Sequence, residues 1–342
     1  MRILFIGGTG IISTECAKLA LSRGFETYLL NRNRRTHLTP TGAKVIACDI
    51  NDEKAAEAAL AGLTFDAVVD FIAFTPQHVE RSLRLFEKRA GQFVFISSAS
   101  AYQKPPGDYV ITESTPLANP YWKYSRDKIA CEEFLMKAYI DRGLAMTIVR
   151  PSHTYGDTLV PAVISAGNSF SVVQRMRAGK PVIVHGDGTS LWCLTHASDF
   201  AKGLVGLLGE PRAVGHAFHI TSDESITWDQ IYQAIGLAAG VKPSIVHVPS
   251  DVLAQWDSSM EGSLIGDKAR SVVFDNSKIK RFVPGYCATT TFAQGVRKTV
   301  AWFDADSSRQ QFDPAHDKRV DDFIAWYLKA TKWESATNEG SK

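Results

Sequence analysis

The fold of this chain is decided by its first residues, Met1-Arg2-Ile3-Leu4-Phe5-Ile6-Gly7-Gly8-Thr9-Gly10-Ile11-Ile12-Ser13. The apolar run at residues 2–6 is long enough for one buried strand. Residues 11–22 repeat apolar and small side chains at helical spacing, which predicts a helix. The glycines between them let the backbone approach a pyrophosphate, and the helix N-terminus offers unpaired N–H groups to it.

The loop has the pattern Gly7-x-x-Gly10-x-x-Ser13, with a serine where a third glycine is usual. Because serine is small, we still expect the helix to pack closely on the strand. A strand, a glycine turn and a helix in this order predict a dinucleotide-binding loop. The alternative is an ordinary turn between a strand and a helix.

The composition is typical of a globular protein, since 45% of the 342 residues are hydrophobic and 22% are charged. A net charge of +2 indicates neither a nucleic-acid nor a membrane partner. No apolar run reaches the ~18 residues that a membrane-spanning helix needs, and a strand that begins at residue 2 argues against a signal peptide. The five cysteines are scattered without metal-ligand spacing, which favours free thiols, a cytoplasmic location and no metal site.

Strand-like and helix-like segments alternate through the first half of the chain. Strands are predicted at residues 25–30, 44–47, 67–71, 92–96 and 146–149, and helices at 52–63 and 77–90. Such alternation predicts an α/β fold, a Rossmann-type doubly wound parallel sheet with right-handed crossovers. A sheet of this kind binds ligands beyond the carboxyl ends of its strands.

The pattern becomes less regular and richer in turns after Gly156, which predicts a second domain. A short apolar strand near His216 to Thr221 is expected to return to the first sheet. The predicted units are an NAD(P)-binding Rossmann domain (1–156 with about 190–222), a smaller, mostly C-terminal α/β substrate domain (about 157–189 and 223–312), an amphipathic C-terminal helical extension (313–333) and a flexible tail (334–342).

The end of the second predicted strand bears on cofactor choice. An acidic residue there binds the ribose 2′-hydroxyl of NAD, whereas a nearby arginine accommodates the 2′-phosphate of NADP. Here the segment is Asn31-Arg32-Asn33-Arg34-Arg35, without an acid, so NADP is favoured over NAD. A solvated basic loop is the alternative. Asp49, after the third strand, is either an adenine contact or a helix-capping or turn residue.

A tyrosine, a lysine and a serine are candidates for a catalytic role. Tyr124 and Lys128 are four residues apart and share one face of a predicted helix. A phenol with a pKa of about 10 is a poor base at neutral pH, and a neighbouring ammonium is expected to lower that pKa. The fifth predicted strand runs into Ser97-Ser98-Ala99-Ser100, and a serine hydroxyl from this run is expected to hold a substrate oxygen. The alternative for the Tyr-Lys pair is a solvated helix face.

Together these residues resemble the extended short-chain dehydrogenase/reductases of the NAD-dependent epimerase/dehydratase family. The resemblance covers roughly residues 1–305 and includes the glycine loop, the segments 65–73 and 94–98, Tyr124 to Lys128, Arg150 to Gly156, and Gly179 to Gly188. It implies that Tyr124 is the general acid/base, Lys128 its pKa tuner and ribose anchor, and Ser98 the catalytic serine, with Ser97 as the alternative. It also implies that Pro151 borders the nicotinamide.

The residues predicted to bind the cofactor lie in the glycine loop and the start of the helix after it, in segments that follow a strand, or on the helix that carries the Tyr-Lys pair. They are Gly7, Thr9, Gly10, Ile11, Ile12, Asn31, Arg32, Arg35, Asp49, Ile50, Phe71, Ile72, Ala73, Ser97, Tyr124, Lys128, Pro151 and His153.

Departures from the family pattern restrict the substrate. Ala99-Ser100 stands where sugar-nucleotide dehydratases carry an Asp-Glu pair, which argues against a 4,6-dehydratase. Trp192 stands where epimerases place a diphosphate-binding arginine; it is expected either to stack on the substrate or to be a core aromatic. His153 replaces an asparagine and is either a substrate donor or a core histidine. Ser98, Ser100, His153 and Trp192 are therefore the candidate substrate residues.

The function predicted from the sequence is an NAD(P)-dependent epimerase or oxidoreductase that acts on a hydroxyl or carbonyl carbon of a sugar or sugar-nucleotide-like substrate. The alternative is an NADPH-dependent reductase of a non-nucleotide carbonyl compound. A non-catalytic relative with an RNA-binding or regulatory role is less favoured, because the Tyr-Lys pair is retained. The expected partners are a small-molecule substrate and a second copy of the chain, through the helices at 77–90 and 124–138.

Overall fold

The computed structural model describes residues 1–164 and 169–332. Its strands are β1 (Arg2–Ile6), β2 (Glu26–Asn31), β3 (Lys44–Ala47), β4 (Ala67–Asp70), β5 (Phe93–Ile96), β6 (Val110–Ile111), β7 (Met146–Pro151), β8 (His153–Tyr155), β9 (Val182–His185), β10 (Leu191–Trp192), β11 (Leu194–His196), β12 (Ala217–Ile220), β13 (Ile226–Thr227), β14 (Ile245–Val248) and β15 (Val273–Phe274).

Its α-helices are α1 (Ile11–Ser22), α2 (Glu53–Ala59), α3 (Pro76–Phe86), α4 (Lys123–Arg142), α5 (Ser171–Arg177), α6 (Ala197–Leu207), α7 (Trp228–Ala238), α8 (Ser250–Trp256), α9 (Glu261–Ser263), α10 (Ser277–Phe282), α11 (Phe292–Asp304) and α12 (Pro314–Ala330). A π-helical turn, Leu264–Lys268, follows α9. No helix among the described residues is long and apolar enough to cross a membrane.

Seven parallel strands form the central sheet in the order β12-β7-β5-β4-β1-β2-β3. The predicted α/β fold with a Rossmann-type doubly wound sheet is therefore confirmed. The strand order reverses beside β1, whose neighbours are β2 and β4. Ligands of doubly wound sheets bind in the crevice at such a reversal, beyond the carboxyl ends of the strands.

Side chains of β1 alternate between the two faces of the sheet, as the period of a strand requires. Ile3 and Phe5 pack with residues of α1 and α6, whereas Leu4 and Ile6 pack with residues of α3 and α4. All four are 0% exposed. Burial on both faces is why this strand is a continuous apolar run rather than an alternating one.

Two predicted helices end earlier than expected: a glycine turn follows the first, and hydrogen bonds outside the helix follow the second. The helix predicted at 52–63 stops at Ala59, and Gly62 lies beyond it with a left-handed φ of +71°. The helix predicted at 77–90 stops at Phe86, because the chain after it pairs with Phe65: the Phe65 N–H donates to Arg89 O, and the Gly91 N–H donates to Phe65 O.

Beyond the central sheet, short strand pairs and helices enclose a second apolar cluster that contains Phe170, Trp192 and Trp228. Helix α12 lies within the predicted extension 313–333, and its Val320, Phe323 and Ile324 pack against residues of β9, β14 and α8. Strand β12 pairs with β7 of the central sheet. The division into two domains stays a prediction, and Trp333 and the tail predicted at 334–342 lie outside the described residues.

Candidate active site

The glycine loop is shaped by backbone conformations that favour glycine. Gly7 has a φ of +108° and Gly8 a φ of +74°. A Cβ added at Gly7 would lie 3.1 Å from Ile72 Cγ2, so a side chain there would be strained and would also narrow the space beside the loop. Ser13, in the place of a third glycine, is 3% exposed, and its hydroxyl accepts a hydrogen bond of 2.9 Å from the Gly10 N–H. The serine therefore fixes the start of α1.

A cleft of about 920 Å³ runs from this loop across the carboxyl ends of the neighbouring strands. Of the predicted cofactor residues, those that line it are Gly7, Thr9, Gly10, Ile11, Ile12, Asn31, Arg32, Arg35, Asp49, Ile50, Phe71, Ile72, Ser97, Tyr124, Lys128 and Pro151. The cleft thus joins the loop, the basic run after β2 and the Tyr-Lys pair. Its length and the glycine cradle fit a dinucleotide.

One end of the cleft is basic. The side-chain oxygen of Asn31 accepts from the N–H of Asn33, which has a left-handed φ of +52°, and this turn brings Arg32, Arg34 and Arg35 to the cleft. The Asn31 amide nitrogen is buried and has no hydrogen-bond partner among the described residues. An uncommitted donor beside exposed guanidinium groups is suited to the ribose and phosphate of a nucleotide.

Asp49 lies at the same end and lines the cleft. Its carboxylate accepts from the N–H of Asn51 at 3.0 Å. That hydrogen bond lowers the pKa of Asp49, and the nearby charges of Arg32 and Arg34 lower it further. Helix α2 is capped by Asp52, which accepts a hydrogen bond from the Ala55 N–H, so Asp49 is not the cap of this helix.

Lys128 lies at the other end of the cleft and is 1% exposed. Its ammonium donates to the carbonyl oxygens of Ala73 and Ile96, both at 2.7 Å. Burial lowers its pKa to about 8. These two carbonyls are neutral, so they hold the ammonium in place without neutralising it.

Tyr124 lies one helical turn before Lys128, with the Lys128 nitrogen 5.8 Å from the centre of its ring. Burial is the largest influence on the pKa of this phenol and raises it. The lowering expected from the ammonium together with the cofactor's positive ring stays a prediction. The nearby hydroxyl of Ser98 lowers the pKa of the phenol, against burial, and the charge of Asp267 raises it.

The two serines after β5 have different partners. The Ser97 hydroxyl donates to the carboxylate of Glu132, which is paired with Arg150 at 3.0 Å, and all three side chains are buried. The Ser98 hydroxyl instead lies 2.8 Å from that of Ser100 and faces the phenol of Tyr124. This arrangement favours Ser98 over Ser97 as the serine that contacts a substrate, although Ser97 lines the cleft.

Two predicted cofactor residues do not line the cleft. The Ala73 side chain is 0% exposed and packs in the core, so the residue contributes through the carbonyl that holds Lys128. His153 lies on β8, which pairs with β11. Burial of its ring lowers the pKa of His153 to about 3. The Ala73 side chain therefore packs in the core rather than in the cleft, whereas the roles predicted for His153 at the cofactor and at the substrate stay predictions.

Two predicted substrate residues are buried. Trp192 is 2% exposed, and its ring lies 5.9 Å from that of Trp228, which favours the alternative in which it is a core aromatic. Ser100 is 3% exposed and accepts a hydrogen bond of 2.7 Å from the hydroxyl of Ser125. Ser100 therefore lies behind Ser98 and can orient it but is not itself open to the cleft.

Several residues of the cleft were not predicted from the sequence. They are Ser13, Leu30, Arg34, Cys48, Asn51, Phe74, His78, Arg81, Ile96 and Thr154. Arg34 was in the basic run, and Phe74 directly follows the predicted segment. No sequence signal marked His78 and Arg81, because they reach the cleft from α3 through packing of that helix.

Asp70 shapes the cleft without lining it. Its buried carboxylate accepts from the backbone N–H groups of Ile72 and Ala73, both at 2.9 Å, and from the Ser82 hydroxyl at 2.6 Å. The loop after β4 is thereby bent so that Ile72 faces Gly7 and the Ala73 carbonyl faces Lys128. The sequence feature that could have identified Asp70 is an acidic residue at the end of an apolar strand.

Comparisons with known proteins agree with this architecture. The chain is 26% identical to 2'-dehydrokanamycin reductase of Streptomyces kanamyceticus over 84% of this chain and 80% of that protein. It is 24% identical to the chloroplast stem-loop binding protein of 41 kDa b of Arabidopsis thaliana over 72% and 65%, respectively. The structure of dTDP-glucose 4,6-dehydratase from Bacillus anthracis in complex with NAD has a TM-score of 0.71 at 19% identity and covers 90% of this chain and 98% of that chain.

The family model whose description is "NAD dependent epimerase/dehydratase family" matches residues 3–221, which span every strand of the central sheet. The matched region holds the glycine loop, the basic run and the Tyr-Lys pair. These features belong to NAD-dependent oxidoreductases and isomerases. This chain therefore belongs to the NAD-dependent epimerase/dehydratase family.

Proposed function

We propose that this protein is an NADP(H)-dependent oxidoreductase that interconverts a carbonyl and a hydroxyl group on a sugar-like substrate. The observation that carries the proposal is the meeting of three groups at one end of the cleft. The phenol of Tyr124 and the buried ammonium of Lys128 line that end, and the hydroxyl of Ser98 lies beside the phenol although Ser98 does not itself line the cleft. The other end of the same cleft carries the glycine loop and the arginines.

In this proposal the chain's own groups hold the cofactor along the cleft. The backbone at Gly7 and Gly10 and the start of α1 receive the pyrophosphate, and Arg32, Arg34 and Arg35 favour a 2′-phosphate over a bare ribose. When bound, the nicotinamide supplies or accepts a hydride. The ammonium of Lys128 is fixed by two carbonyls, and its remaining N–H would donate to the nicotinamide ribose.

Tyr124 is assigned the proton transfer. Burial raises the pKa of this phenol, so it is protonated at neutral pH and is ready to donate a proton to a substrate oxygen. Ser98 holds that oxygen, and Ser100 orients Ser98 through the 2.8 Å contact between their hydroxyls. The protonated phenol is the form that donates a proton when a carbonyl is reduced, and its phenolate is the form that accepts one when a hydroxyl is oxidised.

A reductase and an epimerase differ in whether the cofactor leaves the protein during turnover. An epimerase retains its cofactor through the cycle, whereas a reductase exchanges it in each turnover. The likeness to a reductase at 26% identity and the basic, open end of the cleft support exchange. The absence of an acid at Ala99 and Ser100 argues against dehydration. The predicted homodimer stays a prediction.

The test is a spectrum followed by an assay. We expect protein purified without added nucleotide to lack the absorbance of reduced nicotinamide, and to oxidise NADPH faster than NADH with a panel of sugar-derived ketones and aldehydes. Tyr124→Phe should lower that rate roughly 10²–10⁴-fold, as loss of a general acid does. It should leave NADPH affinity unchanged, and Tyr121→Phe, at an exposed neighbouring position, should retain the rate.

Two results would contradict the proposal. Cofactor that co-purifies tightly and interconverts epimers without net oxidation would identify an epimerase instead. A Tyr124→Phe variant with the full rate would show that another group transfers the proton.

A further inference from the structure

A segment from the C-terminal half of the chain closes over Tyr124. Helix α9 and the π-helical turn after it pack against Trp122, whose ring lies 5.0 Å from that of Tyr124. A Cβ added at Gly262 would lie 2.2 Å from Trp122 Cδ1, and one at Gly266 would lie 3.1 Å from Trp122 Cβ. Only glycines allow so close an approach, and π-helical turns are frequent at functional sites.

The loop before α4 ties this segment to the catalytic serine region. The side-chain amide of Asn119 donates to the carbonyl of Gly266 at 2.6 Å and to that of Ser100 at 2.8 Å. Asp267, the next residue of the turn, is close enough to the phenol of Tyr124 for its charge to raise the pKa of that phenol. The π-helical turn therefore brings the charge of Asp267 near the phenol of Tyr124.

Three charged side chains, those of Lys104, Asp267 and Lys268, meet at this turn. Lys104 is 6% exposed, and its ammonium lies 3.7 Å from the carboxylate of Asp267 and donates to the Asp267 carbonyl at 3.3 Å. The ammonium of Lys268 lies 3.2 Å from the same carboxylate. Two cations share one anion, so the cluster has one positive charge in excess.

The excess charge is poorly compensated. Burial lowers the pKa of Lys104, the charge of Lys268 lowers it further, and Asp267 only partly opposes them. An ammonium has three N–H donors, whereas the contacts of Lys104 with Asp267 are few and long. A buried charge without full pairing is costly, and a bound anion would relieve that cost.

Neutral groups with uncommitted polar atoms border the cluster. Lys104 lies 5.7 Å from the ring of Trp192, whose buried indole nitrogen has no hydrogen-bond partner among the described residues. The ring of His153 is acted on by the charges of Lys268 and Asp267, and burial lowers its pKa to about 3, so it is neutral at pH 7. Its Nδ1 is likewise without a partner in residues 1–164 and 169–332.

We propose that Lys104 and Lys268 form an anion-binding substrate subsite beside Tyr124, with Asp267 as its internal counter-ion, and that the substrate carries a carboxylate or a phosphate near its reacting carbon. The inference rests on the proposed function for the reacting carbon, but the anion subsite can be tested without turnover.

The experiment measures anion binding to the full-length protein with NADP⁺ present, by calorimetry at constant ionic strength. Malonate and inorganic phosphate are the two probes, and they distinguish a carboxylate subsite from a phosphate subsite. We expect saturable binding of at least one, weakened roughly tenfold or more in Lys104→Met and in Lys268→Met, since each removes one charge-assisted contact. Lys242→Met, at an exposed position, is the matched control and should bind as the wild type does.

Asp267→Asn tests the counter-ion. Without its negative charge the lysines lose their internal partner, so the same anion should bind more tightly than it does to the wild type. Circular dichroism and NADP⁺ affinity check folding of each variant. If Lys104→Met does not fold, Lys268→Met decides, because the Lys268 side chain is 11% exposed against 4% for Lys104.

Three outcomes overturn the proposal: no saturable binding of either anion, unchanged binding in both lysine variants, or binding of the cation ethylammonium that is lost in Asp267→Asn. The proposed function fails separately. Lysine-dependent anion binding without reduction of any carbonyl compound would support the anion subsite and contradict the proposed reductase activity. NADPH oxidation without lysine-dependent anion binding would support the reductase activity and contradict the anion subsite.

Discussion

The buried lysine of the cleft predicts a measurable dependence of stability on pH. Lys128 is 1% exposed, and its ammonium is held only by the neutral carbonyls of Ala73 and Ile96 among the hydrogen-bond partners described. Burial lowers its pKa from 10.5 to about 8, with weaker opposing contributions from the charges of Asp70 and Glu132. The folded protein therefore binds this proton less tightly than the unfolded chain does.

The sign follows from where each state loses the proton. Below pH 8 both states are protonated, and the folded state carries the full cost of the buried charge, which for a shift of this size is about 3 kcal/mol. Between pH 8 and pH 10.5 the unfolded chain holds more protons, so the free energy of unfolding rises with pH. About 2.5 kcal/mol of that rise falls between pH 7 and pH 10.

Lys128→Met isolates this contribution. Urea unfolding of the wild type and of the variant is measured from pH 7 to pH 10, and the difference in unfolding free energy is plotted against pH. Other groups titrate in both proteins and cancel. We expect the wild type to gain about 2.5 kcal/mol relative to Lys128→Met over this range, and the variant to lose NADPH oxidation at every pH.

Lys123→Met is the matched control, because Lys123 is exposed on the same helix and pairs with Asp127. Its difference curve should be flat. A flat curve for Lys128→Met as well, or one in which the wild type loses stability as the pH rises, would refute the reasoning that burial destabilises this ammonium.

Three further outcomes follow from the cleft. Arg32→Ser should weaken NADP⁺ binding roughly 10–100-fold and leave NAD⁺ binding unchanged in fluorescence titrations; equal losses for both would place the arginine elsewhere. Gly7→Ala and Gly24→Ala should each cost about 1–2 kcal/mol of stability for a left-handed φ, but only Gly7→Ala, whose Cβ meets Ile72, should weaken cofactor binding. Ser98→Ala should lower kcat/KM roughly 10–100-fold at unchanged cofactor affinity; an unaltered rate would remove the serine from the proposed site.

The local pattern of apolar residues was enough to predict the first strand and the first helix. Strand β1 and helix α1 have the bounds predicted from apolar spacing, because a buried strand and an amphipathic helix each impose their own period on the sequence. The spacing of Tyr124 and Lys128 placed both on one face of α4 for the same reason. The ends of α2 and α3 were missed, since a glycine turn and the pairing of residues 89–91 with Phe65 end them.

The candidate site was predicted where it follows the backbone and missed where it depends on packing. Residues at strand ends, such as Asn31 and Phe71, reach the cleft because parallel strands deliver their carboxyl ends to one edge. His78 and Arg81 reach it from the side of a helix, which no spacing rule indicates. His153 does not line the cleft, and its predicted role stays a prediction.

The sequence by itself determined the Rossmann-type sheet, the glycine loop and the pairing of a tyrosine with a lysine, because these depend on neighbours within a few residues. Only the tertiary structure decided that burial raises the pKa of Tyr124, that Trp192 is in the core, and that Lys104 and Lys268 share Asp267. Desolvation and ion pairing depend on which distant segments come into contact, and that is a property of the packed chain rather than of any stretch of it.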